Sequence, residues 1–298
     1  MPSLKDLKNR IKSVKSTQKI TKAMKMVAAS KLRRAREAAE ALRPYATQME
    51  KMMARLASGY EGASNAPLLL AGTGRNKTHL LIVATADRGL CGAFNSSIIR
   101  AVRKRARDLA ADGKTVKLYC IGKKGRDLLQ GEFGAHIIGV RTDTSRQNIT
   151  YAGAEAIARE VLTHVESGDV DVVTIIYNHF KSVITQIVTV QQLMPLVFVS
   201  GVSGVESVDN SATDAVYDHE PEEEAILHDL LPRNFAMQLY HALLESAASE
   251  QGARMNAMEN ATKNAGEMIK KITLKYNRTR QANITKELIE IISGAEAV

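Results

Sequence analysis

Four stretches of this chain bring together residue types that could do chemistry. Residues 72–78 read GTGRNKT, with the glycines and lysine that often cradle phosphate. A phosphate loop needs Gly directly before its Lys and lies between a strand and a helix, where backbone N–H groups face the anion. Here Asn76 precedes Lys77 and the stretch comes ahead of a strand, so spacing and context both exclude that role. Gly89 and Gly92, within ADRGLCGAFN at 86–95, do stand between a strand and a helix. They form GxxG without the leading GxG of a dinucleotide fingerprint, and no ribose-binding acid ends the second strand. That spacing predicts a tight turn with close backbone packing. His219, Glu220 and His228 offer imidazoles and a carboxylate, but Pro221 lies between the histidines and no Cys joins them. This predicts a solvated acidic loop rather than a metal site. Cys91 sits in an apolar turn without a local base, which excludes a thiol nucleophile. Cys91 and Cys120 form no CxxC and read as free, buried thiols of a reducing compartment. No catalytic residue, metal or cofactor is predicted.

Charge gives a stronger signal than any of these. The chain has 298 residues and a formal net charge of +9. Between Lys5 and Arg36 stand twelve lysines and arginines against Asp6 alone. A solvated helix face normally mixes signs, so this excess predicts docking onto an acidic surface. Nucleic acid would satisfy it, but no recognition module or stacking aromatics accompany the charge. A carboxylate-rich protein surface satisfies it equally.

These residues are carried on two long helices and one α/β segment. Leu4, Leu7, Ile11 and Val14 begin a heptad ladder that resumes at Ala28, Leu32, Ala35, Ala39, Leu42, Ala46, Met49 and Met53. Between them, at Gln18, Thr21 and Lys25, the apolar positions are expected to shift by one to Ile20, Met24 and Val27. Ser3 and Asp6 form an N-terminal cap, and Pro44 is the one breaker, a kink or a turn near the helix end. Residues 59–76 read as a linker. The run from Thr78 to Ala86 has the length and apolarity of a buried strand. Strands then alternate with helices up to a closing hairpin at 171–190, which predicts a small, mostly parallel, Rossmann-like sheet. An acidic loop at 201–224 leads into a helix of nearly 70 residues, or about 100 Å.

The predicted organisation is a coiled-coil helix at 1–58, a central α/β domain at 77–200, the acidic loop, and a second coiled-coil helix at 225–298. Helices so long cannot bury their seams on a domain of about 130 residues, so they are expected to pair antiparallel with one another. The low aromatic content, 4% with no Trp, fits seams of Ala, Leu, Met and Ile. No run of about 18 apolar residues predicts a membrane span. The basic N-terminus reads as the true start near Met1 rather than as a removable transit peptide.

Residues 4–34 (LKDLKNRIKSVKSTQKITKAMKMVAASKLRR), the turn ADRGLCGAFN, and 249–297 from SEQGARMNAMENATKNAGEMI to YNRTRQANITKELIEIISGAEA closely resemble the gamma subunit of rotary F-type ATP synthases. The resemblance spans the whole chain and implies a non-catalytic central rotor shaft. Its partners would be the alpha and beta subunits of the catalytic head, the epsilon subunit and the proton-driven c ring, with one copy per complex. It implies that Arg280 and Gln281, in RTRQANITKEL, hydrogen-bond a beta-subunit loop, with Thr285 and Glu287 in the same signature. Met24 matches a position near a beta carboxylate loop, and Arg254, in SEQGARM, its coupling partner. Tyr217 and Glu220 fall where the foot of the family's rotor meets the c ring. Lys25 stands where the family often has an acid, and is expected to tighten contact with acidic beta loops. The cysteine-bearing insertion of chloroplast relatives is missing, so thiol switching is not implied. A bacterial protein, peripheral on the cytoplasmic face of the inner membrane, is expected. The alternative reading from charge alone is a basic coiled-coil nucleic-acid-binding protein.

Overall fold

The computed structural model describes residues 3–58, 60, 67–142, 149–196 and 223–296. The first helix, α1 (Leu4–Ser58), is continuous through Pro44. The Ser3 hydroxyl accepts from the Asp6 amide while the Asp6 carboxylate accepts from the Ser3 amide, the reciprocal cap expected of this sequence. The linker contains one turn of helix, α2 (Leu68–Ala71), that the Gly/Ser/Asn composition did not suggest. Its Leu69 and Leu70 are apolar enough to join a cluster with Met49, Met53, Leu227 and Leu231.

The sheet contains β1 (Thr78–Ala84), β2 (Thr115–Ile121), β3 (Ile137–Arg141), β4 (Val172–Phe180) and β5 (Gln186–Met194) in the order β3-β2-β1-β4-β5. The first four strands are mutually parallel and β5 runs antiparallel to β4 as the second arm of a hairpin. Ile184, expected at the start of β5, lies in the hairpin turn and is exposed, because Ser182 and Thr185 close that turn on each other. Helices α3 (Phe94–Ala111), α4 (Lys123–Phe133) and α5 (Tyr151–Glu166) provide the crossovers. Helix α6 (Glu223–Glu296) is continuous through Pro232.

Contacts divide the chain into two compact units, Met1–Ser30 with Arg254–Val298, and Lys31–Ala253. The boundary thus falls inside both long helices rather than at their ends. In the larger unit each strand of the sheet's centre is covered twice. Leu80, Ile82, Val173 and Ile175 pack against α5 and against Phe235, Leu239 and Leu243 of α6. Leu81, Val83, Leu118 and Ile176 pack against Ile98, Val102 and Leu109 of α3. Burial on both faces explains why β1 is apolar throughout rather than alternating.

The smaller unit is the antiparallel helix pair. Its contacts run in opposite senses along the two helices: Gln18 and Thr21 meet Thr262, and Lys25 meets Glu259. On α1 the side chains turned inward are Leu4, Leu7, Ile11, Val14, Gln18, Thr21, Lys25 and Ala28, alternating by three and four. The expected shift of the apolar stripe does not occur. The heptad phase is kept and polar residues occupy it, while Ile20 and Val27 are more than half exposed. On α6 the inward positions include Met258, Ala265 and Ile269, whereas Met268, read as a seam residue, is half exposed.

Candidate functional site

The helix pair presents a polar interval where most pairs of this kind present Leu and Ala. The hydroxyls of Thr21 and Thr262 are 2.7 Å apart, and Thr21 is buried. Each hydroxyl also lies near a carbonyl of its own helix, Thr262 at 2.7 Å from Met258 O and Thr21 at 3.1 Å from Gln18 O. With one proton each, one hydroxyl donates across the pair while the other donates to the carbonyl of its own helix. The Gln18 side-chain amide donates to Thr262 O. It reaches there because Gly266 leaves room: a Cβ at Gly266 would come within 3.1 Å of the Gln18 amide nitrogen.

One turn further along α1, Lys25 Nζ lies 2.7 Å from Glu259 Oε1. Together with Lys19, Lys22, Met26 and Lys263, these residues line a groove of about 810 Å³. Four lysines against one glutamate give the groove a positive field suited to an acidic partner. Lys25 does not stand in it as an uncompensated charge, since Glu259 neutralises it from the facing helix. Met24 beside it is half-buried.

The other predicted site residues are distributed along α6. Arg254 is half-buried at the start of the α6 portion of the pair. Arg280, Gln281, Thr285 and Glu287 lie 21 or more residues beyond Glu259, about 30 Å along the helix, and all four are exposed. The Thr285 hydroxyl donates to Gln281 O, 3.0 Å away. Every described side chain from Arg280 to Ser293 is exposed, among them Ile284, Leu288, Ile289, Ile291 and Ile292. Tyr217, His219 and Glu220, with the acidic loop from 201 to 222, lie outside the described residues. His228 is exposed on α6, and no group of three or more His, Cys, Asp or Glu able to hold a metal occurs among the described residues.

In the larger unit, the crevice that would hold a ligand is filled from within. An open α/β sheet binds ligands outside the carboxyl ends of its strands where the order reverses, here between β1 and β4. Helix α6 crosses that position: Phe235 to Leu243 pack on one face of the sheet, Ala253 joins the cluster on the other, and between them Ser246 Oγ donates to Ala84 O at the end of β1. The adjoining turn is equally committed. Asn95 accepts from the Ala86 amide, Asp87 accepts from the Lys123 amide, and Asn178 donates to Phe94 O. Left-handed backbone at Leu90 (φ 64°) and Gly92 (φ 57°) makes the turn tight, as the GxxG spacing predicts.

The GTGRNKT stretch also has an internal purpose. The buried carboxylate of Asp171 accepts from the Lys77 and Thr78 amides and the Thr73 hydroxyl, and pairs with Arg75 at 3.3 Å. Burial works against its charge, but those hydrogen bonds and Arg75 outweigh it and hold its pKa below the ordinary aspartate value. Both cysteines are buried, and burial pushes the Cys120 thiol up to about 11, the opposite of an activated nucleophile.

Sequence reasoning missed Gln18, Thr262, Glu259 and Gly266 as a set. The signal was present, since a heptad ladder whose phase survives across three polar residues places those residues in the seam.

The profile of the ATP synthase family matches residues 3–298. A protein named ATP synthase gamma chain from Fuscovulum blasticum is 59% identical over 298 residues, covering all of both chains. The ATP synthase gamma chain of Rhodospirillum rubrum is 57% identical over 299 residues, again covering both completely. Among solved structures, a chain from the central stalk and c ring of Tetrahymena thermophila mitochondrial ATP synthase matches with a TM-score of 0.60 at 32% identity, over 81% of this chain and 99% of that one. A chain from a Euglena gracilis mitochondrial ATP synthase assembly shares the fold with a TM-score of 0.66 at 18% identity, over 99% of this chain and 94% of that one. This full-length agreement displaces the alternative of a nucleic-acid-binding coiled coil.

Proposed function

The chain belongs to the ATP synthase gamma-chain family, and from that premise we propose that it is the central rotor shaft of an F-type ATP synthase, carrying torque between a proton-driven c ring and the alpha/beta head. The observation that carries this reading is the pair of uninterrupted helices, 55 and 74 residues long, with α6 exposed from Arg280 to Ser293. A shaft that must turn in a bearing needs a stiff, self-paired body and an end that engages its surroundings through contacts that break and reform at modest cost.

On this reading the chain catalyses nothing itself, and nucleotide chemistry belongs to the beta subunits. The filled switch-point crevice supports that division of labour. Met24, Lys25 and the lysine-lined groove face acidic beta loops. Arg280, Gln281, Thr285 and Glu287 contact beta near the shaft end, the exposed isoleucines and Leu288 turn within an apolar sleeve, and Arg254 couples the two helices' movements. Tyr217 and Glu220 contact the c ring beside the epsilon subunit. No helix among the described residues is long and apolar enough to cross a membrane. On the rotor reading the chain is held peripherally through its partners, on the cytoplasmic face of a bacterial inner membrane.

The test is co-purification and reconstitution of the tagged chain from its own cells. The expected result is a complex with alpha, beta, epsilon and c subunits that hydrolyses ATP and pumps protons, while the isolated chain does neither. An isolated chain that hydrolyses ATP, or a tagged chain recovered without those subunits, overturns the reading.

A further inference from the structure

The β4–β5 hairpin grips α6 at two heights, and both contacts pass through consecutive residues. At the lower one, Glu245 Oε2 accepts from the Phe180 amide at 2.9 Å and lies 3.1 Å from His179 Nδ1. The Glu245 side chain is only 13% exposed, which shelters its bond from the Phe180 amide, while His179 on its other side is nearly half exposed. At the upper one, two helical turns along, the Phe180 ring lies against Gly252: a Cβ there would meet the ring's Cε2 at 3.1 Å and Val183 Cα at 3.6 Å. The Arg36 guanidinium of α1 covers the same ring, its Cζ 5.9 Å from the ring centroid.

Gly252 is otherwise hard to explain. A glycine inside a long helix is less favourable than alanine by about 1 kcal/mol, and its backbone is ordinary helix. The close approach of Phe180 accounts for it. Apart from the hydrogen bonds of Ser246 to Ala84 O and of Gln191 to Gln238, the remaining contacts of α6 with the sheet, through Phe235, Leu239, Ala242 and Leu243, are apolar and non-directional. They hold the helix against the sheet but resist rotation about its axis poorly. The Phe180 contacts are directional, and they engage α6 at Glu245 and Gly252, just before the boundary at Ala253.

We propose that His179, Phe180 and Glu245 are positioning residues that key the sheet to α6 against twist, with Gly252 as the socket for the ring and Arg36 as its lid. This rests on the rotor reading, since the key matters only if torque crosses from the sheet into the helices.

The experiment uses the assembled ATPase complex with its head immobilised and a probe attached to the sheet domain. Angular fluctuations of the stalled rotor report torsional stiffness. Phe180→Ala is expected to widen the fluctuations and to lower protons pumped per ATP under an opposing gradient, with detergent-solubilised ATPase activity kept. Phe180→Tyr, which retains the ring, is expected to restore both. Gly252→Ala is favoured by the helix and displaces only the ring, so it supplies a second variant should the first fail to assemble, and it too is expected to loosen the rotor. Wild-type stiffness in an assembled Phe180→Ala or Gly252→Ala complex overturns the proposal. Failure of the wild-type complex to rotate overturns the rotor reading instead.

Discussion

Thr21 and Thr262 face each other across the helix pair with their hydroxyls 2.7 Å apart, in a seam position that the heptad assigns to an apolar side chain. A polar contact in such a seam costs stability and gains register, because it is satisfied at only one alignment of the two helices. Sliding either helix by one turn would leave Thr21 without its partner across the pair and Gln18 against a side chain bulkier than Gly266.

Removing both hydroxyls should therefore cost no more stability than removing one. Thr21→Val leaves Thr262 still bonded to Met258 O, so the cost is small, about 0.5–1 kcal/mol. Thr262→Val likewise leaves the Thr21 hydroxyl its own-helix acceptor, Gln18 O at 3.1 Å, and should also cost about 0.5–1 kcal/mol. The double Val variant should be no less stable than the worse single one, while losing alignment. Urea unfolding of the four chains measures the cycle, and cysteine cross-linking between chosen α1 and α6 positions measures the register. Additive single costs with unchanged register would show that the pair specifies nothing.

Lys25 and Glu259 offer a charge-reversal test. The pair is partly solvated, so its strength is only about 0.5 kcal/mol and falls as salt is added. Lys25→Glu places like charges in contact and should destabilise the helix pair by a similar amount. Lys25→Glu with Glu259→Lys should restore stability. If the lysine groove also faces acidic beta loops, the double variant will recover stability without fully recovering coupled proton pumping. Full recovery of both would confine Lys25 to an internal role.

Asp171 links stability to pH. Its pKa is lower in the folded chain than the ordinary value near 3.9, so the stability it contributes is complete above that value. It is lost as pH falls below that value and through the folded pKa. Asp171→Asn forfeits at least one of the bonds to Thr73, Lys77 and Thr78 and should cost about 2–3 kcal/mol at neutral pH. Measured unfolding free energies of the two chains should converge as pH is lowered toward 2. Parallel curves would mean the carboxylate is not what carries the effect.

Much of this was legible in the sequence because period and breaker residues are local signals. The strands β1 to β4 and the helices between them follow from apolar run length and turn chemistry. The reciprocal Ser3–Asp6 cap follows from spacing alone. Other features depended on groups distant in sequence. Nothing near Ser246 announces that its hydroxyl meets Ala84 O, 162 residues earlier, or that α6 fills the sheet's crevice. GTGRNKT is excluded as a phosphate loop by its spacing, but nothing in it announces that its partner, the Asp171 carboxylate, arrives from the start of β4. The seam at Gln18, Thr21 and Lys25 was misread for the opposite reason. Hydrophobicity was allowed to outvote phase, although 3.6-residue geometry fixes which side chains turn inward whatever their polarity.

Arg280 gives the sharpest functional prediction. Its side chain is exposed on a stretch of α6 where every described neighbour to Ser293 is exposed too, so Arg280→Ala should change the stability of the isolated chain by no more than about 0.5 kcal/mol. Any larger effect must come from contacts with another subunit. A charge-assisted hydrogen bond lost at one rotor angle is equivalent to about 1.5 kcal/mol, or about tenfold in the rate of the step that needs it. Arg280→Ala should then lower ATP turnover of the assembled complex by up to that factor while subunit stoichiometry stays intact. Arg280→Lys keeps the charge but not the planar fork, and should fall between the two. Steady-state ATPase and proton-pumping rates on complexes matched for subunit content decide it, and rates equal to wild type for Arg280→Ala would remove Arg280 from the beta contact.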